Sequence, residues 1–192
     1  MNAVVKRFPV RLDIRRGAVD MTHGSGGRAM AQLIDELFVR HLDNELLRQA
    51  NDQAAFAVPA GRMVMSTDGH VISPLFFPGG DIGSLAVHGT INDVVMSGAR
   101  PLYLSAGFIL EEGFPLADLE RVVASMGRAA TAAGVPVVTG DTKVVERGKG
   151  DGIFITTTCP RNPPSSANSR WQKTSWPSSR PWSRTPASGK SG

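Results

Sequence analysis

The sequence is poor in cysteine and has no long apolar run. Cys159 is the only cysteine among 192 residues, which excludes an internal disulfide framework and fits a reducing compartment. No apolar stretch is long enough to span a bilayer, and the N-terminus shows no signal-peptide pattern. These absences predict a soluble, cytoplasmic protein. Its length predicts one domain, or one domain and a fragment.

The last 33 residues lack the large aliphatic side chains that a folded core requires. Residues 160–192 contain no Leu, Ile, Val, Met or Phe and no acidic residue, but they hold six prolines, nine serines and all three tryptophans. This composition predicts disorder. The net charge of +4 also belongs to this tail, because residues 1–159 hold 15 basic against 17 acidic residues. The basic balance therefore gives no reason to infer nucleic-acid binding.

The change of composition at Cys159 is abrupt and follows a strand-like run. We interpret it as a shift of the reading frame near residue 159, with a basic, tryptophan-containing RNA-binding arm as the alternative. The predicted organisation is a lead-in segment over residues 1–20, a folded domain over residues 21–158, and a disordered basic tail rich in Ser, Pro and Trp over residues 159–192.

Between these ends, hydrophobic periodicity predicts alternating strands and helices. After a first helix at 28–41, the predicted order is β-α-β-α-β-β, an α+β pattern in which the last two strands form a hairpin. A short strand is also predicted at 10–15. The apolar loop 71–78, bracketed by prolines, suits packing either on a partner subunit or under its own domain.

The predicted helix over residues 81–100 carries a polar stripe. Asp81, His88 and Asn92 are spaced i, i+7, i+11, and Asp93 lies beside them. A carboxylate on a largely buried helix is unfavourable unless it is paired or binds a metal, although an Asp–Asn pair could also cap a neighbouring loop. Its small residues should allow another backbone to approach closely; these are Gly89, Ser97 and Gly98. Its apolar residues should face a sheet; these are Leu85, Val87, Ile91, Val94, Val95 and Met96.

Two more aspartates are predicted at strand ends. Asp68 follows the strand at 62–67, and Asp141 follows the strand at 135–139 in a Gly-Asp-Thr-Lys turn. If Asp68, Asp81, Asp93 and Asp141 converge, they require a counter-ion, and such oxygen ligands suit Mg²⁺ together with substrate phosphates. Lys143 would add a positive charge for a phosphate. Taken singly, an aspartate in a glycine-containing turn is more often a turn former than a ligand.

A glycine-rich loop precedes the first helix. Its sequence is Thr-His-Gly-Ser-Gly-Gly-Arg over residues 22–28, and backbone N–H groups at a helix N-terminus can hold a phosphate. It lacks the Gly-Lys-Ser/Thr ending of a Walker A loop. Ser25 could instead be a plain helix cap. His23 could donate to a phosphate or act as an acid–base group, or it could be a solvent-exposed loop histidine.

Together these motifs resemble the HypE family of hydrogenase maturation proteins. This family lies in the superfamily of aminoimidazole ribonucleotide (AIR) synthetase, selenophosphate synthetase and thiamine-monophosphate kinase. The resemblance extends from about residue 19 to 158. It rests on residues 23–28, 66–68, 74–83, 88–94 and 140–145. It implies an AIR synthetase-like N-terminal domain, with a mixed sheet of about four strands that pairs across a homodimer.

The resemblance also implies an activity. HypE proteins use ATP to dehydrate a carbamoyl group on their own C-terminal cysteine to a thiocyanate. The cyanide is supplied to the iron of [NiFe] hydrogenases. The implied cofactors are ATP and Mg²⁺, and the implied partners are the carbamoyltransferase HypF and the HypC–HypD iron scaffold.

The resemblance assigns roles to individual residues. It implies Asp68, Asp81 and Asp93 as Mg·ATP carboxylates, with Asn92 in the nucleotide site. Asp141, Thr142 and Lys143 would face the phosphates. The loop of His23, Gly24, Ser25, Gly26 and Gly27 would close over them. Asp141, Lys143 and His23 are the catalytic candidates.

The chain also departs from the family pattern. The second domain and the carrier cysteine are not recognisable, and Cys159 does not match that cysteine. We therefore expect this chain alone not to complete the reaction. A non-catalytic dimerisation module, or another ATP-dependent ligase or kinase of the superfamily, stays an alternative.

Overall fold

The structure is a computed structural model that describes residues 8–58 and 63–162. The first seven residues of the predicted lead-in, the turn predicted at 59–61 and all of the predicted tail beyond 162 lie outside the described residues. Within the part described, no helix is long and apolar enough to cross a membrane.

A long, irregular helix follows the glycine-rich loop. A 3₁₀ turn (Met21–Gly24) leads to α1 (Arg28–Leu33), which continues through a π-helical stretch (Ile34–Phe38) into α2 (Val39–Leu42). A second 3₁₀ turn follows (Leu47–Gln49). The helix predicted at 28–41 is confirmed. The strand predicted at 10–15 is wrong, because the Leu12 N–H donates to Glu36 Oε2 at 2.7 Å and ties this segment to the helix.

The remaining elements are β1 (Val64–His70), β2 (Phe76–Phe77), β3 (Gly80–Asp81), α3 (Ile82–Met96), β4 (Arg100–Pro101), β5 (Leu104–Glu111), α4 (Leu116–Ala133), β6 (Val137–Val145) and β7 (Ile153–Asn162). The predicted order β-α-β-α-β-β is confirmed by β1, α3, β5, α4, β6 and β7. Three two-residue strands were not predicted. Strand β7 also continues four residues past the predicted domain end at 158, and Cys159 is buried opposite Ser66.

The main sheet has the strand order β1-β7-β5-β6, and β4 also pairs with β7. Strands β5 and β6 are parallel and joined through α4, whereas β7 is antiparallel to all three of its partners, β1, β4 and β5. The predicted hairpin of β6 with β7 is therefore wrong, because β5 lies between them. The Glu111 carboxylate at the end of β5 holds the connection, accepting the N–H groups of Gly148 at 2.5 Å and Gly152 at 3.0 Å.

Helices cover one face of this sheet, the covered face. Alternate residues of each strand point to opposite faces. On β5 and β7 the buried set is Leu104, Ala106, Phe108, Leu110, Ile153, Ile155, Thr157 and Cys159. Apart from Thr157, these side chains form one hydrophobic core with Leu119, Val122, Val123 and Met126 of α4.

We call the other side of the sheet the open face. It presents the exposed residues Met65, Thr67, Ile109, Asp141, Lys143 and Thr156. The segment before β1 reaches one end of it, where Thr139 Oγ1 donates to the Asp52 carbonyl at 3.3 Å.

Helix α3 buries a narrower face than its composition predicts. Of the predicted apolar residues, Val87 and Val94 are buried, but Val95 and Met96 are 52% and 82% exposed. The close backbone approach lies at Gly83, not at Gly89, Ser97 or Gly98. A Cβ on Gly83 would lie 2.2 Å from the Val122 carbonyl oxygen of α4.

The proline-bracketed loop packs mainly under its own domain. Ile72, Leu75 and Phe76 contact the core, and the Arg121 guanidinium lies 3.8 Å from the centroid of the Phe76 ring. Val71 and Phe77 stay exposed. Of the two interpretations, the structure favours the loop tucked under the same domain for these three side chains.

Candidate functional site

A polar cluster lies between β1 and α3 on the covered face. Ser66, Asp68 and His70 alternate along β1, and Asp68 stands opposite Thr157 of β7. Ser66 Oγ donates to Asp93 Oδ2 at 3.4 Å. The prediction that Asp68 follows the end of a strand is wrong. Strand β1 continues to His70, so Asp68 lies within it.

His70 is the member of this cluster that the sequence analysis missed. Its imidazole is 6% exposed, and Nε2 lies 3.3 Å from Asp68 Oδ2. Gly89 of α3 faces the pair, and a Cβ there would lie 2.8 Å from His70 Nε2 and 3.2 Å from Asp68 Oδ2. The available signal was the i, i+2 spacing of Asp68 and His70 on an alternating strand, which places both side chains on one face.

The exposed part of the cluster comes from the second half of α3. His88, Asn92 and Asp93 are exposed, as the predicted polar stripe requires. Asp93 lies one helical turn beyond Gly89, so Asp68 and Asp93 border the same stretch between β1 and α3. Their carboxylate oxygens are the hard ligands that Mg²⁺ prefers when it also binds substrate phosphates.

Asp81 occupies a different place. It is the N-cap of α3. Asp81 Oδ1 accepts a hydrogen bond from the Ser84 N–H at 3.0 Å, and the Asp81 N–H donates to Ser84 Oγ at 3.1 Å. The twelve residues between Asp81 and Asp93 correspond to about 18 Å along the helix. One ion cannot bind both carboxylates in this arrangement.

Asp141 and Lys143 lie on the open face. They are part of β6 and not of a turn, because β6 runs without interruption from Val137 to Val145. Asp141 Oδ1 accepts the Thr142 N–H at 2.8 Å and the Lys143 ammonium at 3.0 Å. Thr142 itself points to the covered face and is buried. Both charged side chains are more than half exposed, 61% for Asp141 and 63% for Lys143.

The predicted carboxylates thus separate into distinct places. Asp68 and Asp141 belong to β1 and β6, which are three strand spacings or about 14 Å apart, and they face opposite sides of the sheet. Over residues 8–58 and 63–162, no three His, Cys, Asp or Glu side chains are grouped closely enough to hold a metal ion. A site that uses both clusters requires more than the described part of one chain.

The glycine-rich loop lies against the edge of β6. A Cβ on Gly24 would come within 2.6 Å of the Val144 backbone nitrogen. The N-cap of α1 is Gly27, not Ser25, whose hydroxyl donates to the Thr22 carbonyl at 3.0 Å. The loop therefore ends on a glycine with no side-chain cap, next to the Asp141–Lys143 strand.

His23 is buried and not solvent-exposed. Its Nδ1 accepts the backbone N–H of Asp20 at 3.0 Å. Hydrogen bonds from the Thr22 hydroxyl and N–H lower the pKa of the Asp20 carboxyl group, and the neighbouring His23 lowers it further. Partial burial of Asp20 acts in the opposite direction and raises this pKa. The Nδ1 atom of His23 thus takes part in a hydrogen bond that stabilises this turn.

A family profile described as "AIR synthase related protein, N-terminal domain" matches residues 50–160. The chain belongs to this family. The match covers β1 to all but the last two residues of β7, so the mixed sheet and the helices α3 and α4 belong to the AIR synthase related domain, as the sequence motifs implied.

The similarity to HypE proteins is high. The chain is 78% identical over 148 residues to the carbamoyl dehydratase HypE of Azotobacter vinelandii, an alignment that covers 77% of this chain and 43% of that protein. The motif-based resemblance to HypE is confirmed. The chain spans less than half the length of the curated relatives it matches.

Two solved structures extend the comparison. A structure of the hydrogenase maturation protein HypE in complex with ATP matches with a TM-score of 0.73 and 59% identity, over 75% of this chain and 43% of that one. A HypE–HypF complex matches with a TM-score of 0.52 and 53% identity, over 67% and 41% of the two chains.

Proposed function

We propose that this chain is the N-terminal, nucleotide-binding region of a HypE-type carbamoyl dehydratase. The observation that supports this most strongly is the similarity to a HypE structure that contains ATP, at 59% identity over 75% of the chain. In the proposed reaction, ATP phosphorylates the oxygen of a carboxamide on the C-terminal cysteine of the full-length protein. Loss of phosphate leaves a thiocyanate, which supplies cyanide to the iron of a [NiFe] hydrogenase.

The residues between β1 and α3 fit a magnesium ion. Asp68 and Asp93 offer carboxylate oxygens next to exposed Asn92, and Mg²⁺ is commonly held by one or two carboxylates plus phosphates. When bound, the ion would neutralise developing charge on the phosphates. Asp81, as the cap of α3, would act at the other end of this helix and not on the same ion.

Lys143, Asp141 and the glycine loop form the second proposed element. The Lys143 ammonium would neutralise phosphate charge. Asp141 would orient this ammonium through the 3.0 Å hydrogen bond that Lys143 Nζ donates to Asp141 Oδ1. Backbone N–H groups of Gly24, Ser25, Gly26 and Gly27 would close over the phosphates. His23 would support this loop from its buried position.

We propose a homodimer as the setting in which these elements work. The open face carries Ile109, 43% exposed, beside Lys143 in the pairing of β5 with β6, and Met65, 68% exposed, on β1 at the opposite edge of the sheet. Apolar surface of this kind is typical of a subunit interface. A second copy packed on this face would enclose Asp141 and Lys143 and supply neighbours that one chain lacks.

The proposed partners follow from the relatives. The HypE chain of a solved HypE–HypF complex is similar to this chain and supports HypF as a partner, for which we propose the role of carbamoyltransferase. The HypC–HypD scaffold would accept the cyanide, and the location would be the cytoplasm. Because the chain covers 43% of the Azotobacter vinelandii protein, we assign nucleotide binding to this region and the complete reaction to the full-length protein.

Calorimetric titration of the full chain with ATP, with and without Mg²⁺, tests the proposal. We expect Mg²⁺-dependent binding, and Asp93→Ala should weaken it at least about tenfold, or about 1.4 kcal/mol. Asp118→Ala, which removes an aspartate of α4 that pairs with Arg121, is the matched control and should bind as the unmodified chain does. If a folded, dimeric sample binds no Mg·ATP, the nucleotide role of this region is wrong and a dimerisation module becomes the better account.

A further inference from the structure

His70 is the buried polar group that the proposed function leaves unused. Its side chain is 6% exposed. Among the residues that the structure describes, its Nδ1 is the one buried side-chain nitrogen or oxygen without a hydrogen-bond partner. An unpaired buried polar atom is destabilising. An apolar side chain would fill this position without that loss, so packing alone does not account for an imidazole here.

The other ring nitrogen faces a proposed ligand. Nε2 lies 3.3 Å from Asp68 Oδ2. Because an ionised carboxylate only accepts hydrogen bonds, the contact favours the tautomer with its proton on Nε2. Nδ1 is then an acceptor that finds no donor, which matches its lack of a partner.

Helix α3 leaves room for this pair at one residue. Any side chain at Gly89 would begin 2.8 Å from His70 Nε2 and 3.2 Å from Asp68 Oδ2. The Asp68 carboxylate therefore has the His70 imidazole on one side and Gly89, which has no side chain, on the other. Asp68 is partly exposed while His70 is buried, so the imidazole contacts the carboxylate from the protein side.

We propose that His70 is a positioning residue that fixes the orientation of the Asp68 carboxylate for Mg·ATP. The inference rests on the proposed function, because it requires Asp68 to be a ligand of the nucleotide-bound metal. Groups that orient a metal ligand typically change metal affinity 10- to 100-fold when they are removed. His70 belongs to this class, and it touches neither nucleotide nor metal itself.

A pair of amide substitutions separates positioning from packing. In His70→Gln the side-chain nitrogen reaches about as far as Nε2 and can contact Asp68 as that atom does. In His70→Asn it reaches only about as far as Nδ1. We expect His70→Asn to weaken Mg·ATP binding by the full chain about tenfold. His70→Gln should stay near the unmodified affinity, and the affinity for ATP without Mg²⁺ should not change in either variant.

The outcomes separate cleanly. Rescue by glutamine but not by asparagine, at similar melting temperatures, supports positioning. Equal loss in both variants that follows a fall in melting temperature overturns it, as does unchanged binding in both. Absence of Mg·ATP binding in the unmodified chain would refute the proposed function, and with it the role of Asp68. Binding that is insensitive to both variants would overturn this inference alone.

Nitrogen-15 spectra of the imidazoles give a readout that needs no nucleotide. We expect the His70 ring, assigned by its loss in His70→Asn, to carry its proton on Nε2. Its shifts should change in Asp68→Asn. A ring protonated only at Nδ1, or one that does not respond to Asp68→Asn, would overturn the contact on which the inference depends.

Discussion

The two faces of the main sheet use the same strands for different purposes. On the covered face, polar groups are few, and most are tied to neighbours. Thr157 Oγ1 donates to the Ala86 carbonyl at 2.9 Å and lies 2.6 Å from Thr90 Oγ1. On the open face, Asp141 and Lys143 contact each other and otherwise face outward.

This difference shows where the chain is already organised and where it depends on something else. Most polar atoms on the covered face are already held by neighbouring groups, which is the kind of setting that the proposed role of Asp68 as a ligand requires. The open-face pair is exposed, and an exposed ion pair contributes little to stability. Under the proposed function, the role of this pair lies in what binds it, either a phosphate or a second copy of the chain.

The largest expected effect comes from matched isoleucines on the two faces. Ile155 is fully buried and Ile109 is 43% exposed. Ile155→Ala should lower the free energy of unfolding by about 3 kcal/mol, through lost contacts and a cavity. Ile109→Ala should change it by about 0.5 kcal/mol or less. Urea denaturation at a protein concentration low enough for the monomer measures both.

Raising the protein concentration in the same experiment sharpens the comparison. If the open face packs on a second copy, the effect of Ile109→Ala should grow with concentration, because association stabilises the folded state by mass action. An effect that is the same at every concentration would contradict the proposed dimer.

An intermediate effect is expected from adjacent threonines of β7. Thr157→Val removes buried hydrogen bonds to α3 and should destabilise the protein by about 1–2 kcal/mol. Thr156→Val changes the exposed neighbour on the open face and should leave the melting temperature unchanged. Equal losses in thermal unfolding would show that the two faces do not differ as described.

The smallest effect on stability is expected from Lys143→Met, because the Lys143 side chain is 63% exposed. The melting temperature should not move, whereas calorimetry should show Mg·ATP binding several-fold weaker. Lys149→Met is the control, since Lys149 is 68% exposed and pairs with Glu146 in a similar way. An equal loss of affinity in the control would indicate a general charge effect and count against a specific role for Lys143.

The order of the main elements was predictable because it depends on local patterns. The apolar periodicity of α4 and the alternation in β5 and β7 are visible in short windows. The pairing of strands is not local. No short window shows that β5 inserts between β6 and β7, since that depends on α4 returning the chain in parallel and on Glu111 binding the connection.

The candidate site was predictable in its residue types and not in its geometry. Gly-Asp-Thr-Lys resembles a turn, but Gly140 lies within β6, where a Cβ would come 2.2 Å from the Ala106 carbonyl oxygen. The glycine thus permits close strand contact and not a change of direction. Asp141 consequently lies in mid-strand, and a count of residues cannot tell which face it joins.

Strand β7 has a consequence for the order in which the domain forms. It pairs β1 with residues about ninety positions further along the chain, for example Asp68 with Thr157. During synthesis, β1 is made early and must wait unpaired until the last described strand has emerged. Such long-range pairing slows folding and leaves a strand edge exposed meanwhile. The growing chain is therefore most open to aggregation just before β7 joins it.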